Sequence, residues 1–161
     1  SVLSRGLGDV YKRQILKGLK YDNKTIKDIS LLVEQHLRPH TFKMGWTDSA
    51  VRRYIVDAGH MLEDLNQLVR ADVTTKNKTK AKEIYDNLDE MEKRIEEVKA
   101  KEELSKIRPA LSGDEIMKHF NIQPGPKVGV IMKALYEQRI NDGEVSKEEA
   151  LQLAEETFKN L

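Results

Sequence analysis

RADVTTKNKTKAKEIYDNLDEMEKRIEEV, residues 70–98, is the stretch whose reading decides the fold of this chain. Its apolar residues Ile84, Leu88, Met91, Ile95 and Val98 fall four, three, four and three positions apart, which lines them along one seam of an α-helix. The residues between them are nearly all charged, so the pattern predicts one dry stripe and a wide solvated face. We read a long helix from about Asn77 to Leu104. Just upstream, Asp72 closes an earlier helical pattern, and a Thr/Lys-rich joint follows. In that joint Lys76, Lys78, Lys80 and Lys82 succeed one another with no acid among them, and Arg70 lies just before it.

Working upstream, MLEDLNQLVRAD predicts a helix that buries Met61, Leu62, Leu65, Leu68 and Val69 and delivers Asp72 at its end. Before it, TDSAVRRYIVDAG predicts a shorter helix with Thr47 or Asp48 as cap and Val51, Tyr54 and Ile55 inward. Gly59 is its left-handed stop, and Arg52 and Arg53 are expected to project sideways. Earlier still, Asp22 or Asn23 caps a helix whose Ile26, Ile29, Val33 and Leu37 share a face, with His36 beside it. Pro39 ends that helix, and TFKMGW reads as a loop.

Downstream, IRPALSG is a turn and a subdomain boundary. Ser112 and Glu115 have the spacing of a capping box ahead of Ile116, Met117 and Phe120. In PGPKVG, Gly125 is expected to permit a tight backbone, Pro126 suits the first turn of a helix, and Lys127 adds a cation to its exposed amides. That helix carries Val128, Ile131, Leu135 and Tyr136 inward and stops near Gly143. Ser146 and Glu149 open a last helix with Leu151, Ala154 and Phe158. With no strand signal, the expectation is an all-α fold, an irregular helical bundle with one long central helix and a small C-terminal helical tail.

The totals narrow the function. The chain has 161 residues, 39% hydrophobic and 34% charged, with no cysteine. Disulfides and thiolate metal sites are excluded, and a cytoplasmic setting is the natural reading. No apolar run approaches the roughly 18 residues of a membrane span. A net charge of +1 gives no global pull toward nucleic acid, so any such site must come from local clustering.

SVLSRGLGDVYKRQ, residues 1–14, shows no helical or strand period and resembles the conceptual translation of a sequencing-library adapter. On that reading native sequence begins at Ile15. Without Arg5, Asp9, Lys12 and Arg13 the net charge moves from +1 to −1. Residues 15–76 then form one helical part, 77–111 the long helix and 112–161 the tail. Removing helices ahead of Ile15 would expose apolar surface around Ile26, Ile29 and Val33 and make that region the least stable.

No H-E-x-x-H, G-x-S-x-G, P-loop or dinucleotide fingerprint is present, so the residues show no independent active site. His36 and Asp72 both sit at the edge of an apolar stripe, where they could meet on a divalent metal, although a lone histidine there is more often structural. The cations make the better case. Arg52, Arg53, Arg70, Lys76, Lys78 and Lys80 all lie at or near helix ends, and such groups neutralise phosphates and release counterions. Alternating charges over residues 90–103 read as a plain solvated face. The Ile84–Val98 seam would serve a partner only if the chain's own helices left it uncovered.

HLRPHTFKMGWTDSAVRRYIVDAG, LVRADVTTKNKTKA and EELSKIRPALSGDEIMKHFNIQPGPKVG together resemble the C-terminal half of bacterial CCA-adding tRNA nucleotidyltransferases of the HD-domain type, in the poly(A) polymerase superfamily. The resemblance covers essentially all of residues 15–161. It implies a chain that grips tRNA while C, C and A are added to the 3′ end from CTP and ATP. The paired carboxylates that bind Mg²⁺ for that chemistry lie in an N-terminal head with G-S and D-x-D motifs, neither of which occurs here, so this chain alone is expected to be inactive. His36 and Asp72 match the last ligands of an HD metal centre whose first ligands would precede Ile15, leaving too few for hydrolysis. WTDSAVRR and the Lys-rich joint match parts of the family's tRNA-facing body, and the PGPKVG turn matches its tail. From charge and place, Arg52, Arg53, Arg70, Lys76, Lys78, Lys80 and Lys127 are the expected RNA contacts. The resemblance implies tRNA as partner, with no DNA and no membrane. An HD phosphohydrolase and a non-enzymatic helical interaction module are the alternatives.

Overall fold

Asn77 opens the long helix with its side chain, whose Oδ1 accepts the backbone N–H groups of Thr79 at 3.0 Å and Lys80 at 3.1 Å. Two of the four amides that a helix start leaves without partners are thereby satisfied. The computed structural model describes residues 2–102 and 107–161. In chain order the helices are α1 (Val2–Gly18), α2 (Asn23–Gln35), α3 (Asp48–Ala58), α4 (Leu62–Ala71), α5 (Lys78–Glu102), α6 (Gly113–Phe120), α7 (Pro126–Asp142) and α8 (Lys147–Lys159). Among the described residues there is no strand, in keeping with the all-α expectation. Along α5, Leu88, Met91, Ile95 and Val98 are all buried, and Ile84 is partly so. The seam is therefore used within the chain, which leaves the interaction-module alternative without its surface. The predicted end at Leu104 lies outside the described residues.

The chain divides into two units, one of Ser1–Gly45 with Ile55–Glu92 and one of Trp46–Tyr54 with Lys93–Leu161. In the first unit α1 and α4 both pack against α2. Asp22 caps α2 by accepting the Thr25 N–H at 2.7 Å. Ile26 is buried and Ile29 and Val33 are half-buried, which corrects the expected apolar exposure there, because α1 lies against this helix. Leu37 is exposed rather than inward. The α-helix stops at Gln35 and a 3-10 helix over Arg38–Met44 replaces the expected loop, so Leu37 leaves the register of Ile26 and Val33. Leu62, Leu65 and Val69 are buried in α4, whereas Leu68 falls on its outer side.

Residues 2–14 belong to α1 although their sequence has no period. Val10, Tyr11, Ile15 and, just beyond the helix, Leu19 are all exposed.

In the second unit, Leu111, Ile116, Ile131, Leu135, Ala150 and Ala154 form a core among α6, α7 and α8. Burying each large aliphatic side chain there contributes about 1.5–3 kcal/mol. Both predicted capping boxes are present. Ser112 N–H donates to Glu115 at 2.8 Å and Ser146 N–H to Glu149 at 2.9 Å, while each serine hydroxyl accepts the return N–H at 3.2 Å. Gly125 has a φ of 166°, extended backbone that any residue adopts, so the tight turn expected of it is not needed. Gly143 is different. Its φ is +82°, and a Cβ there would sit 3.4 Å from Nη1 of Arg52.

Candidate nucleic-acid interface

The seven cations singled out by sequence fall into two groups, those committed to acids or carbonyls and those left to solvent. Arg52 and Arg53 are neighbours on α3, and a helix turns about 100° per residue, so they face different surroundings. Arg52 is 6% exposed, which corrects the expectation that it projects sideways. Its Nη1 donates to Glu102 at 2.6 Å, and Nε and Nη2 donate to the carbonyls of Ile140 at 2.7 Å and Asn141 at 3.2 Å. Those carbonyls belong to the last turn of α7, where an α-helix has no acceptors' partners of its own. A guanidinium in that place completes the helix end and has little left to offer a phosphate.

Arg53 forks onto Glu137 at 3.1 and 2.5 Å and reaches Oδ1 of Asn141 at 3.3 Å. That fork holds the Glu137 carboxyl below its usual range. Arg70 donates to both oxygens of Glu92, at 3.1 and 2.8 Å, and to Asp89 at 2.5 Å. Hydrogen bonds to Glu92 first and Asp89 second push its proton affinity further up. Both side chains are partly exposed, yet their charge is already answered by α7 and α5 respectively. Sequence reading could not see this, because the partners lie 84 and 22 positions away.

The lysines are the other group. Lys76, Lys78 and Lys80 are exposed and form no ion pair with any described residue. Lys82, the last of the run, donates to Asp86 at 2.7 Å one turn on, which raises its pKa. The first turn of α5 carries no acid, so cations stand where the helix dipole favours anions. That placement costs the helix a few tenths of a kcal/mol and leaves the joint strongly attractive to negative groups. Lys127, in the first turn of α7, is also exposed, and its Nζ sits 5.9 Å from the Phe158 ring centroid.

The expected metal residues are placed separately. His36 Nδ1 donates to the Val33 carbonyl at 2.6 Å, and Asp72 is an exposed residue at the end of α4. Among the described residues no group of three or more His, Cys, Asp or Glu side chains is arranged to hold a metal ion. No helix among the described residues is long and apolar enough to cross a membrane.

Two groups that the sequence did not single out belong in this account. Glu102 and Arg139, read as part of a solvated face and not at all, form the ion cluster with Arg52, Arg139 donating to Glu102 at 3.1 Å. Only their burial distinguishes them, and burial has no signature in a Lys/Glu-rich stretch.

The sequence pattern of tRNA nucleotidyltransferase domain 2 matches residues 2–154. Over 144 residues the chain is 31% identical to the CC-adding tRNA nucleotidyltransferase of Thermus thermophilus, an alignment covering 89% of this chain and 31% of that protein. Over 128 residues it is 29% identical to the A-adding tRNA nucleotidyltransferase of Deinococcus radiodurans, covering 78% of this chain and 28% of that protein. The chain thus spans about a third of the length of these relatives. No solved structure matches it.

Proposed function

This chain belongs to the tRNA nucleotidyltransferase domain 2 family, and on that premise we propose that it is the tRNA-holding part of an enzyme that extends tRNA 3′ ends with C and A residues from CTP and ATP. The observation that carries the reading is the exposed, unneutralised Lys76, Lys78 and Lys80 at the start of α5, in a chain whose arginines at positions 52, 53 and 70 are already answered. Double-stranded RNA hides its base edges in a deep, narrow groove, so a surface of this kind holds it by shape and phosphate. Lysines suit such contacts because a mobile point charge tolerates small changes in phosphate position. Lys127 supplies a further contact of the same type.

On this reading the carboxylates and Mg²⁺ for nucleotide addition come from another part of the enzyme, since neither the G-S nor the D-x-D motif of the family's head is matched in this sequence. We assign no chemical step to His36 or Asp72. In the family setting they are remnants of a metal centre that requires further ligands. The setting for all of this is the cytoplasm, where the absence of cysteine is unremarkable.

Fluorescence anisotropy with a labelled tRNA transcript tests the proposal. We expect binding whose log K falls linearly with log salt concentration, as counterion release requires. Affinity no better than that of a neutral helical protein of similar size refutes it. In a parallel incubation with CTP, ATP and a tRNA lacking its 3′ terminal residues, we expect this chain alone to incorporate no nucleotide.

A further inference from the structure

A cleft of about 460 Å³ opens within the second unit, lined by Lys101, Glu102, Arg108, Arg139 and Glu144 among others. Its volume lies within the roughly 300–1,000 Å³ of clefts that take small ligands or parts of large ones. Charge counting makes it unusual. Arg52 and Arg139 are 6% and 5% exposed, and both donate to the one carboxylate of Glu102, so two buried guanidiniums face a single buried acid. Both arginines share that one carboxylate, so among the described residues cations outnumber acids at this wall, which favours an anion there.

Arg139 hydrogen-bonds only Glu102 among the described residues, through Nη1, and the residue lines the cleft. Lys101 and Arg108 are exposed on the same walls and form no ion pair with a described residue. Among the described residues, the acids against these three cations are Glu102, shared between two arginines, and Glu144. The adjoining cleft, about 430 Å³, has the opposite character, with Asp142, Glu144, Glu149 and Glu156 on its walls. A polyanion is thus drawn to one side of Glu144 and repelled from the other.

We propose that this cleft seats one backbone phosphate of the RNA, with Arg108 and Lys101 as the direct contacts and Arg139 as the buried charge behind them. The inference rests on the RNA-holding reading and adds a fixed seat to it. The lysines before α5 are mobile charges on an open joint. A walled cleft backed by a held guanidinium instead fixes where along the strand a phosphate sits, because Arg binds phosphate through a planar fork. Glu144 opposes that binding from the rim and sets the side from which the strand enters.

The test compares wild type, Arg108→Gln, Arg108→Lys and Glu144→Gln in tRNA anisotropy titrations at several salt concentrations, each variant first checked by circular dichroism. Arg108→Gln should weaken binding about tenfold and reduce the salt slope by about one. Arg108→Lys keeps the charge, so it should retain the slope while losing part of the affinity. Glu144→Gln removes a repelling charge and should tighten binding, a change of opposite sign that simple loss of structure does not produce. If wild type binds tRNA while Arg108→Gln and Glu144→Gln leave both affinity and slope unchanged, the phosphate seat is refuted and the RNA-holding reading stands. If wild type does not bind tRNA, both fall together.

Discussion

Glu102 offers its two carboxylate oxygens to two different arginines, Oε1 to Arg52 and Oε2 to Arg139, with all three side chains at or below 8% exposure. Charges withdrawn from water to this degree persist only when their partners are kept. Removing one partner of such a set costs about 3–5 kcal/mol, because the remaining charges stay buried without it. We therefore expect Glu102→Gln to lower the unfolding free energy by that order, whereas Asp48→Asn, which breaks the exposed pair with Arg94, should cost under about 1 kcal/mol. Urea unfolding followed by circular dichroism measures both. Glu115 lies at the opposite extreme of exposure. Lys147 first and the Ser112 backbone N–H second hold its carboxyl down at about 2, against 4.5 for a free glutamate. Since its folded pKa is depressed, its contribution is fully present above pH 4.5 and is lost as pH falls through about 2. An NMR titration of the Glu115 carboxyl should show it ionised throughout the range from pH 4 upward, and a midpoint near the free value contradicts the contact. Glu115 was legible in the sequence as half of a capping box, though its pairing with Lys147 was not, and Glu102 was legible only as a charge. Arg52 and Arg53 make the point most directly, for they are identical in type and adjacent, yet one is interior and the other lies at the surface.

At the level of elements, legibility followed the strength of the local signal. The seam of α5 was readable because a charged background isolates its apolar positions, and the two serine capping boxes were readable because their chemistry lies within four residues. Met91 is fully buried in that seam, so Met91→Ala should destabilise by about 2–5 kcal/mol, measured by the same urea unfolding. A cost below 1 kcal/mol would show the seam to be loosely packed. Element boundaries set by proline and by tertiary cover were less legible. Pro39 was read as the stop of α2, but that helix ends earlier, at Gln35, and Pro39 sits in the first turn of the 3-10 helix that follows, with Leu37 turned outward between them. Ile26 is buried on a helix against which both α1 and α4 pack, and the sequence of residues 2–14 in α1 carries no period. The helix α1 leaves Val10, Tyr11 and Ile15 in solvent. Its amide protons should exchange much faster than those of Leu88–Val98 in a hydrogen-exchange experiment. Equal protection would mean that a surface covers α1 in solution.

Over the whole molecule, a net charge of +1 conceals a division between two kinds of cation. The arginines at positions 52, 53 and 70 are held by acids, while Lys76, Lys78 and Lys80 are not. Total charge is then a poor guide to nucleic-acid affinity, and the density of the unanswered charges is what counterion release responds to. The same division explains how much of the site was legible. A run without acids can be read along the chain, but neutralisation by an acid 22 or 84 positions away cannot. It also yields a comparison between residues that the sequence treats alike. Each phosphate contact contributes about 0.7–0.9 to the slope of log K against log salt. Replacing Lys76, Lys78 and Lys80 together by Gln should flatten that slope by about two to three for tRNA. Replacing Arg70 by Gln removes one formal charge but also frees Glu92 and Asp89, so it should weaken binding chiefly by adding local repulsion, with the number of released counterions unchanged. Anisotropy titrations across a salt series distinguish the two. If the triple lysine variant keeps the wild-type slope while Arg70→Gln flattens it, the contacts run through the paired arginines and the assignment of the lysines is wrong.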